Sequence, residues 1–207
     1  MKVCTCLNPL HTALAVYGCL LGYTLIADEM KDAQLKGSLN RWATAKGCPS
    51  SPTPASSTRG FIAEVLEQRL TNGNLPDTPQ RIATDTSQKV GIRFGETIRA
   101  YGDKAKDLTY VPLVIAGWCR YLLAVDDEGK SFTPSPDTLL QNVQEALQAS
   151  SSRRCLGQRQ AAPHPVQHGD FRQRPVRSRP RRKDRRLLRR THRRPHAVRN
   201  TLVKYVK

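Results

Sequence analysis

A mostly α-helical domain of about 150 residues, followed by a disordered or irregular basic tail, is the fold class this sequence predicts. Three observations predict it. Apolar residues recur at helical spacing, as in Phe61, Ile62, Val65, Leu66 and Leu70. No segment shows the strict alternation of a convincing strand ladder. The formal net charge of +17 also resides wholly at one end: residues 151–207 hold 16 arginines and three lysines against Asp170 and Asp184, whereas residues 1–150 balance 15 basic and 15 acidic side chains. A balanced surface with interspersed apolar runs is that of a globular domain. The Arg/Pro/Gln/His-rich end has too little apolar content to offset its ordering entropy.

The elements follow in order. Asn8 with Pro9 starts the first helix, because an asparagine side chain caps free amide groups and proline is tolerated in the first turn. That helix runs through Leu10, Leu14, Val16 and Leu20 toward Ile26, and being apolar all round it should be buried. Residues 28–35 continue as a more polar surface helix. Residues 39–59, rich in Ser, Pro, Thr and Ala and without apolar periodicity, read as an irregular linker. Order resumes at Gly60, and Asn72-Gly-Asn-Leu-Pro76 is a turn leading into an extended or short helical piece. Ile92, Phe94, Ile98 and Tyr101 mark another helix ending near Gly102. Residues 110–125 form a buried helix carrying Trp118, Arg120 and Tyr121. Residues 126–129 are a surface turn, and Asp137 caps a helix reaching about Ala149.

The composition bounds the function classes. Six cysteines lie mostly inside apolar strings, without the regular spacing of a disulfide framework or of paired metal ligands, so reduced thiols in a cytoplasmic protein are the simplest account. Cys4-Thr-Cys6 could hold a metal only with further ligands nearby. Residues 10–27 are the competing signal-peptide or membrane-span reading. Against it, one positive charge precedes the run, His11 and Thr12 open it, and Tyr17, Gly18, Gly22 and Tyr23 interrupt it.

Three strings carry a resemblance to a known family. They are Asn8-Pro-Leu-His11 entering the apolar helix, Asp77-Thr-Pro-Gln-Arg-Ile-Ala-Thr-Asp-Thr-Ser running into Gln88 and Lys89, and Ala116-Gly-Trp-Cys-Arg-Tyr121. In that order they resemble the mannitol dehydrogenase family of polyol-specific long-chain dehydrogenases, C-terminal domain. The resemblance covers about residues 2–38 and 60–148 and implies the multi-helical substrate domain of a dehydrogenase. Gly117-Trp-Cys-Arg-Tyr121 with Val125-Asp-Asp-Glu-Gly129 is more similar to the family's hexuronate branch than to its mannitol enzymes. The final residues from Pro195 resemble the family's C-terminal helix, which sets the expected organisation as 1–149 helical domain, 150–194 low-complexity segment and 195–207 short helix. Family-like sequence on both sides of 150–194 is what a compensated frame change in a GC-rich gene would leave, with 39–59 a second such patch.

The resemblance also implies a metal-free NAD(P)-dependent oxidoreductase acting on a sugar acid or polyol, with a lysine as acid/base in a Lys-x4-Asn-x2-His motif. Asn8 and His11 fit its second half, three residues apart and so on one helix face. Lys2 is the candidate base, one residue further from Asn8 than the motif asks. Arg81 and Lys89 match the family's Arg-x7-Lys substrate grip, and Arg120, beside a buried helix, should pair with an internal acid or the substrate. Each has a plainer rival. Asn8 can be a helix cap, His11 a satisfied core histidine, and Arg81 and Lys89 ordinary surface cations.

No glycine-rich strand-to-helix turn occurs in the chain, so no cofactor-binding residue is assigned. The expectation is of a fragment inactive alone, whose partner is a cofactor-binding half encoded separately. The alternative function is non-specific nucleic-acid binding by the arginine-rich tail, which lacks the aromatic interleaving and zinc-ligand spacing of specific readers. No membrane partner is expected.

Overall fold

The computed structural model describes residues 7–44, 60, 64–103, 108–155 and 195–206. The fold there is mostly helical: α1 (Asn8–Leu21), α2 (Ile26–Glu29), α3 (Ala33–Thr44), a π-helical turn (Val65–Arg69), α4 (Pro79–Ala83), α5 (Thr86–Tyr101), α6 (Tyr110–Tyr121), α7 (Leu140–Cys155) and α8 (Ala197–Val206). Among the described residues β pairing is limited to one isolated antiparallel bridge, Val125 to Ser131.

Helix α1 is the axle of the domain. Nearly every side chain from Pro9 to Leu20 is buried, and the helix packs against α2, α3, α4, α5, α6 and α8. An apolar all-round helix has no solvent face to offer, so the other elements must surround it. The Tyr17 hydroxyl donates to the Leu113 carbonyl at 2.9 Å, tying α1 to α6. Gly18 sets how closely the opposite side can approach. A Cβ there would lie 2.0 Å from Glu29 Oε1 and 2.8 Å from Pro79 Cγ, so a side chain at this position would push α2 and α4 away.

Both ends of α1 differ from expectation. Asn8 is not the cap: Leu7 before it is already in right-handed helical geometry, and no side-chain cap hydrogen bond is made. At the other end α1 stops at Leu21 rather than Ile26, because Gly22 adopts φ +77° and returns its N–H to the Gly18 and Cys19 carbonyls. No helix among the described residues is long and apolar enough to cross a membrane.

Further on, α3 runs to Thr44, inside the stretch expected to be irregular. Leu35 and Leu39, one turn apart and buried, hold that helix to the core. Helix α6 ends at Tyr121 rather than Val125, since Ala124 turns left-handed at φ +57° to start the 125–131 bridge. Helix α7 continues past Ala149 to Cys155. Lys2, residues 45–59 and residues 156–194 lie outside the described residues, and with them the linker's second half, the low-complexity segment and any nucleic-acid contact by it.

The 126–129 turn is only partly surface. Asp127 is 4% exposed, and its N–H donates to the Leu20 carbonyl at 2.8 Å. Its carboxylate accepts the Val198 and Arg199 N–H groups at 2.8 and 2.9 Å, while its carbonyl accepts that of His196 at 2.7 Å. Asp127 therefore serves α8 as an N-terminal cap supplied from another part of the chain. Replacing it with alanine should cost about 2–4 kcal/mol, the loss of two charge-assisted bonds to buried amides. Amide hydrogen exchange should show α8 losing protection before α1, and D127N should restore part of it.

Candidate functional site

The first turn of α1, the whole of α4 and the start of α5 meet on one side of the domain. α1 carries Asn8 and His11, α4 carries Arg81, and α5 carries Lys89 and Arg93. Thr78 starts α4 by accepting the Arg81 N–H at 3.1 Å, with Pro79 in the first turn. One turn before Arg81, Asp77 holds its guanidinium in a fork, Nε to Oδ1 at 2.8 Å and Nη2 to Oδ2 at 2.7 Å. The Arg81 side chain is otherwise 71% exposed. The Asp77 carbonyl accepts the Ile26 N–H at 2.9 Å, anchoring this corner to α2.

Between α4 and α5 the chain reverses at Asp85, a left-handed residue at φ +52°, a geometry aspartate adopts more readily than most. Its N–H donates to the Pro136 carbonyl at 2.9 Å. Lys89 sits just beyond, and its ammonium donates to the Ile82 carbonyl at 3.1 Å and to the Thr84 carbonyl, the free acceptors at the end of α4. Burial and then the Arg93 charge hold the Lys89 ammonium below its usual range.

His11 lies half-buried in this group. Burial pushes its imidazole below the ordinary value of 6.5, the Arg93, Arg69 and Arg81 charges push it further, and Asp77 opposes them. The ring is therefore neutral at pH 7, with one nitrogen donating and the other accepting. A neutral imidazole in the positive field of nearby guanidinium groups suits an anionic, oxygen-rich ligand.

The structure thus gathers Asn8, His11, Arg81 and Lys89, and it does not bring Arg120 to them. Arg120 is 3% exposed, and its Nη2 donates to the Asp126 carbonyl at 2.8 Å rather than to an acid, while Nε has no hydrogen-bond partner. That loop joins α1 at Leu20, about 18 Å along the helix axis from Asn8. A polar cavity of about 300 Å³ lies at the same far end, lined by Gly22, Asp126, His196 and Arg199 among others.

Arg93 and Asp77 are the side chains that sequence reasoning passed over. Arg93 had a signal, one helical turn after Lys89, and Asp77 lies one turn before Arg81. Arg69, on the π-helical turn, had none. Two other chemistries find little support here. Burial raises the thiol of Cys19 to about 12 and that of Cys119 to about 11, so neither is a thiolate at neutral pH. Among the described residues no group of three or more metal-ligating side chains is assembled.

Comparison with known proteins identifies the family of this fold. Residues 1–159 match the family model of the mannitol dehydrogenase C-terminal domain. The D-mannonate oxidoreductase of Thermotoga maritima is 58% identical over 148 residues, covering 69% of this chain and 27% of that protein. Among solved structures, a D-sorbitol dehydrogenase in substrate-free form superposes with a TM-score of 0.60 at 26% identity, over 69% of this chain and 30% of the other. The mannitol 2-dehydrogenase of Pseudomonas fluorescens, in a ternary complex with NAD and D-mannitol, gives a TM-score of 0.65 at 20% identity, over 99% and 39%. The chain spans well under half the length of each, and it belongs to the mannitol dehydrogenase family through that family's C-terminal domain.

Proposed function

We propose that this chain is the substrate-holding and proton-handling part of an NAD(P)-dependent oxidoreductase that interconverts a sugar acid of the fructuronate and D-mannonate type. The observation that carries the reading is the placement of Asn8 and His11 on the first turn of α1, where that helix packs against the helices that bear Arg81 and Lys89 and where Arg93 bonds to the Asn8 carbonyl. The 58% identity to a D-mannonate oxidoreductase supports the choice of substrate class.

The nicotinamide would supply the hydride. The sequence reads without a glycine-rich strand-to-helix turn, the usual seat of a dinucleotide pyrophosphate. The nucleotide would be held by another domain or polypeptide. This chain's part concerns the substrate oxygen and its proton. As the carbonyl is reduced, negative charge grows on its oxygen, where Asn8 and His11 would donate hydrogen bonds, each contributing about 3 kcal/mol in comparable sites. Lys2 would deliver the proton as general acid, and in the reverse direction its neutral amine would accept the alcohol proton. Arg81, pre-set by Asp77, would take the carboxylate through its remaining N–H groups. Lys89 would hold the end of α4 that presents Arg81.

A complementation assay tests this. The purified chain should not oxidise NADH or NADPH with fructuronate, whereas mixing it with the nucleotide-binding portion of the Thermotoga relative should give saturable turnover. Saturable oxidation by the chain alone would overturn the division of labour, and turnover of mannitol but not of fructuronate would overturn the substrate class. In the complemented enzyme R81Q should raise KM for the sugar acid about 10- to 100-fold, the loss of one charge-assisted grip.

A further inference from the structure

Arg93 reaches from α5 across to the first turn of α1. Its Nη1 donates to the Asn8 carbonyl at 3.1 Å and to Thr12 Oγ1 at 2.6 Å, and the Thr12 hydroxyl itself donates to the Asn8 carbonyl at 3.2 Å. The three groups close a small ring. It spans the helical turn that carries Asn8 and His11, eighty-five residues away in sequence from Arg93 at its far corner.

The location makes this more than a packing contact. The start of α1 lacks a side-chain cap, and proline at its second residue removes one backbone donor, so little in the helix itself fixes that turn against its neighbours. Bonded through Nη1 to two oxygens on one turn, the guanidinium ties that turn to α5, and its planarity holds the two N–H directions in a fixed plane, which a shorter, freely rotating ammonium does not. Thr12 is buried, whereas a threonine in a helix more often faces outward or bends back alone. Burial of its hydroxyl is matched here by the two bonds of the ring.

We propose that Arg93, with Thr12, is a positioning residue that pins the first turn of α1 so that Asn8 and His11 face the substrate oxygen in fixed register. This rests on the Asn8 and His11 reading above. Arg93 does not need to touch substrate. Its second effect is electrostatic: its charge, with those of Arg69 and Arg81 and against that of Asp77, favours the uncharged His11 ring.

The experiment separates register from charge and from the functional reading. In the full chain, the His11 ring is titrated by NMR in wild type, R93K, R93Q and T12V. In the complemented enzyme, kcat and KM for fructuronate are measured for the same four. R93K keeps the charge but replaces the planar guanidinium with a shorter, rotating ammonium. It should lower kcat at least tenfold with KM within about twofold, while His11 still titrates below 6.5; T12V should reproduce part of the kcat loss. R93Q should lower kcat similarly and move the His11 titration upward. Unchanged kcat in R93K and T12V would overturn the proposal, as would a rise in KM alone, which would make Arg93 a substrate ligand. Absence of turnover by the complemented wild type refutes the functional reading instead. The titrations then still decide whether Arg93 governs the His11 turn: an identical His11 signal and midpoint in all four proteins would refute that too.

Discussion

Glu29→Gln is expected to abolish a loss of stability that the parent chain suffers between about pH 5 and pH 9. Glu29 is 0% exposed, sealed beneath Gly18 at the contact of α1, α2 and α4, and neither carboxylate oxygen has a hydrogen-bond partner. Burial, and then the nearby Asp77 charge, raise its pKa to about 9 from an ordinary 4.5. Below about pH 4.5 the group is protonated in both folded and unfolded chains, so it contributes no pH dependence. Between 4.5 and 9 the unfolded chain sheds the proton and the folded chain keeps it. Stability therefore falls by about 1.4 kcal/mol per pH unit, and above pH 9 the loss is complete. The full effect is of order 5 kcal/mol, large against a domain's net stability. Glutamine has the shape of the protonated acid and does not titrate. Urea midpoints followed by circular dichroism should nearly coincide for the two proteins at pH 5 and diverge at pH 9 in favour of E29Q. Parallel midpoints across that range would show that Glu29 is ionised in the folded chain.

The second large effect concerns turnover. In the complemented enzyme, H11A should lower kcat about 100- to 1000-fold with a smaller change in KM, the loss of one oriented donor to a developing oxyanion. N8A should fall in the same range. The double variant should lose less than the product of the two, because both donors serve one oxygen. The pH profile supplies a second check. Burial and the surrounding arginines keep His11 neutral, so its protonation should not limit kcat at pH 6.5, and a profile collapsing near the ordinary imidazole value would contradict this. If H11A raised KM and left kcat unchanged, His11 would be a ground-state contact only.

Local patterns in the chain announce the helical class and the central helix. An apolar run opened by Asn-Pro and closed by Gly22 can hardly be anything but a buried helix, and α1 is buried as its composition demands. The interruption at Gly22 was visible too, yet its meaning as a stop required knowing that the backbone turns left-handed there. What remained hidden depends on partners far away in sequence. Helix α3 carries exposed Asn40 and Arg41 beside buried Leu39, so its inner stripe shows only once α8 is placed against it. Ile92, counted in the apolar face of α5, is 73% exposed, while Phe94, two residues on, is fully buried. Of the expected set, Phe94 is buried and Tyr101 partly so, whereas Ile92 and Ile98 are exposed.

The site divides the same way. Asn8 with His11, and Arg81 with Lys89, were visible because each pair lies within one short motif. Arg93 showed only its spacing from Lys89; its contacts, like those of Asp127 at the far end of α1, were hidden because the partners lie 85 and 71 residues away. Lys89 was visible as a cation but not as a clasp on the carbonyls of Ile82 and Thr84, since nothing local tells that the chain doubles back at Asp85. Arg120 was read as needing an internal acid or the substrate. A backbone carbonyl met that need at a hairpin no strand pattern foretold.

The cap that Asp127 lends to α8 has a consequence for how the domain is made. Helix α8 carries Arg199, which pairs with Asp32, and Asp32 in turn receives the Gln34 and Leu35 N–H groups that open α3. The chain's last described segment thus finishes the start of its third helix. During synthesis Asp32 can receive the Tyr23 hydroxyl and the Gln34 and Leu35 N–H groups as soon as α3 emerges, but its pairing with Arg199, like the α8 amides that Asp127 caps, waits until residues 195–206 have been made. A nascent chain stalled before residue 195 would hold α1 and α3 without the latch that Arg199 and the capped start of α8 provide.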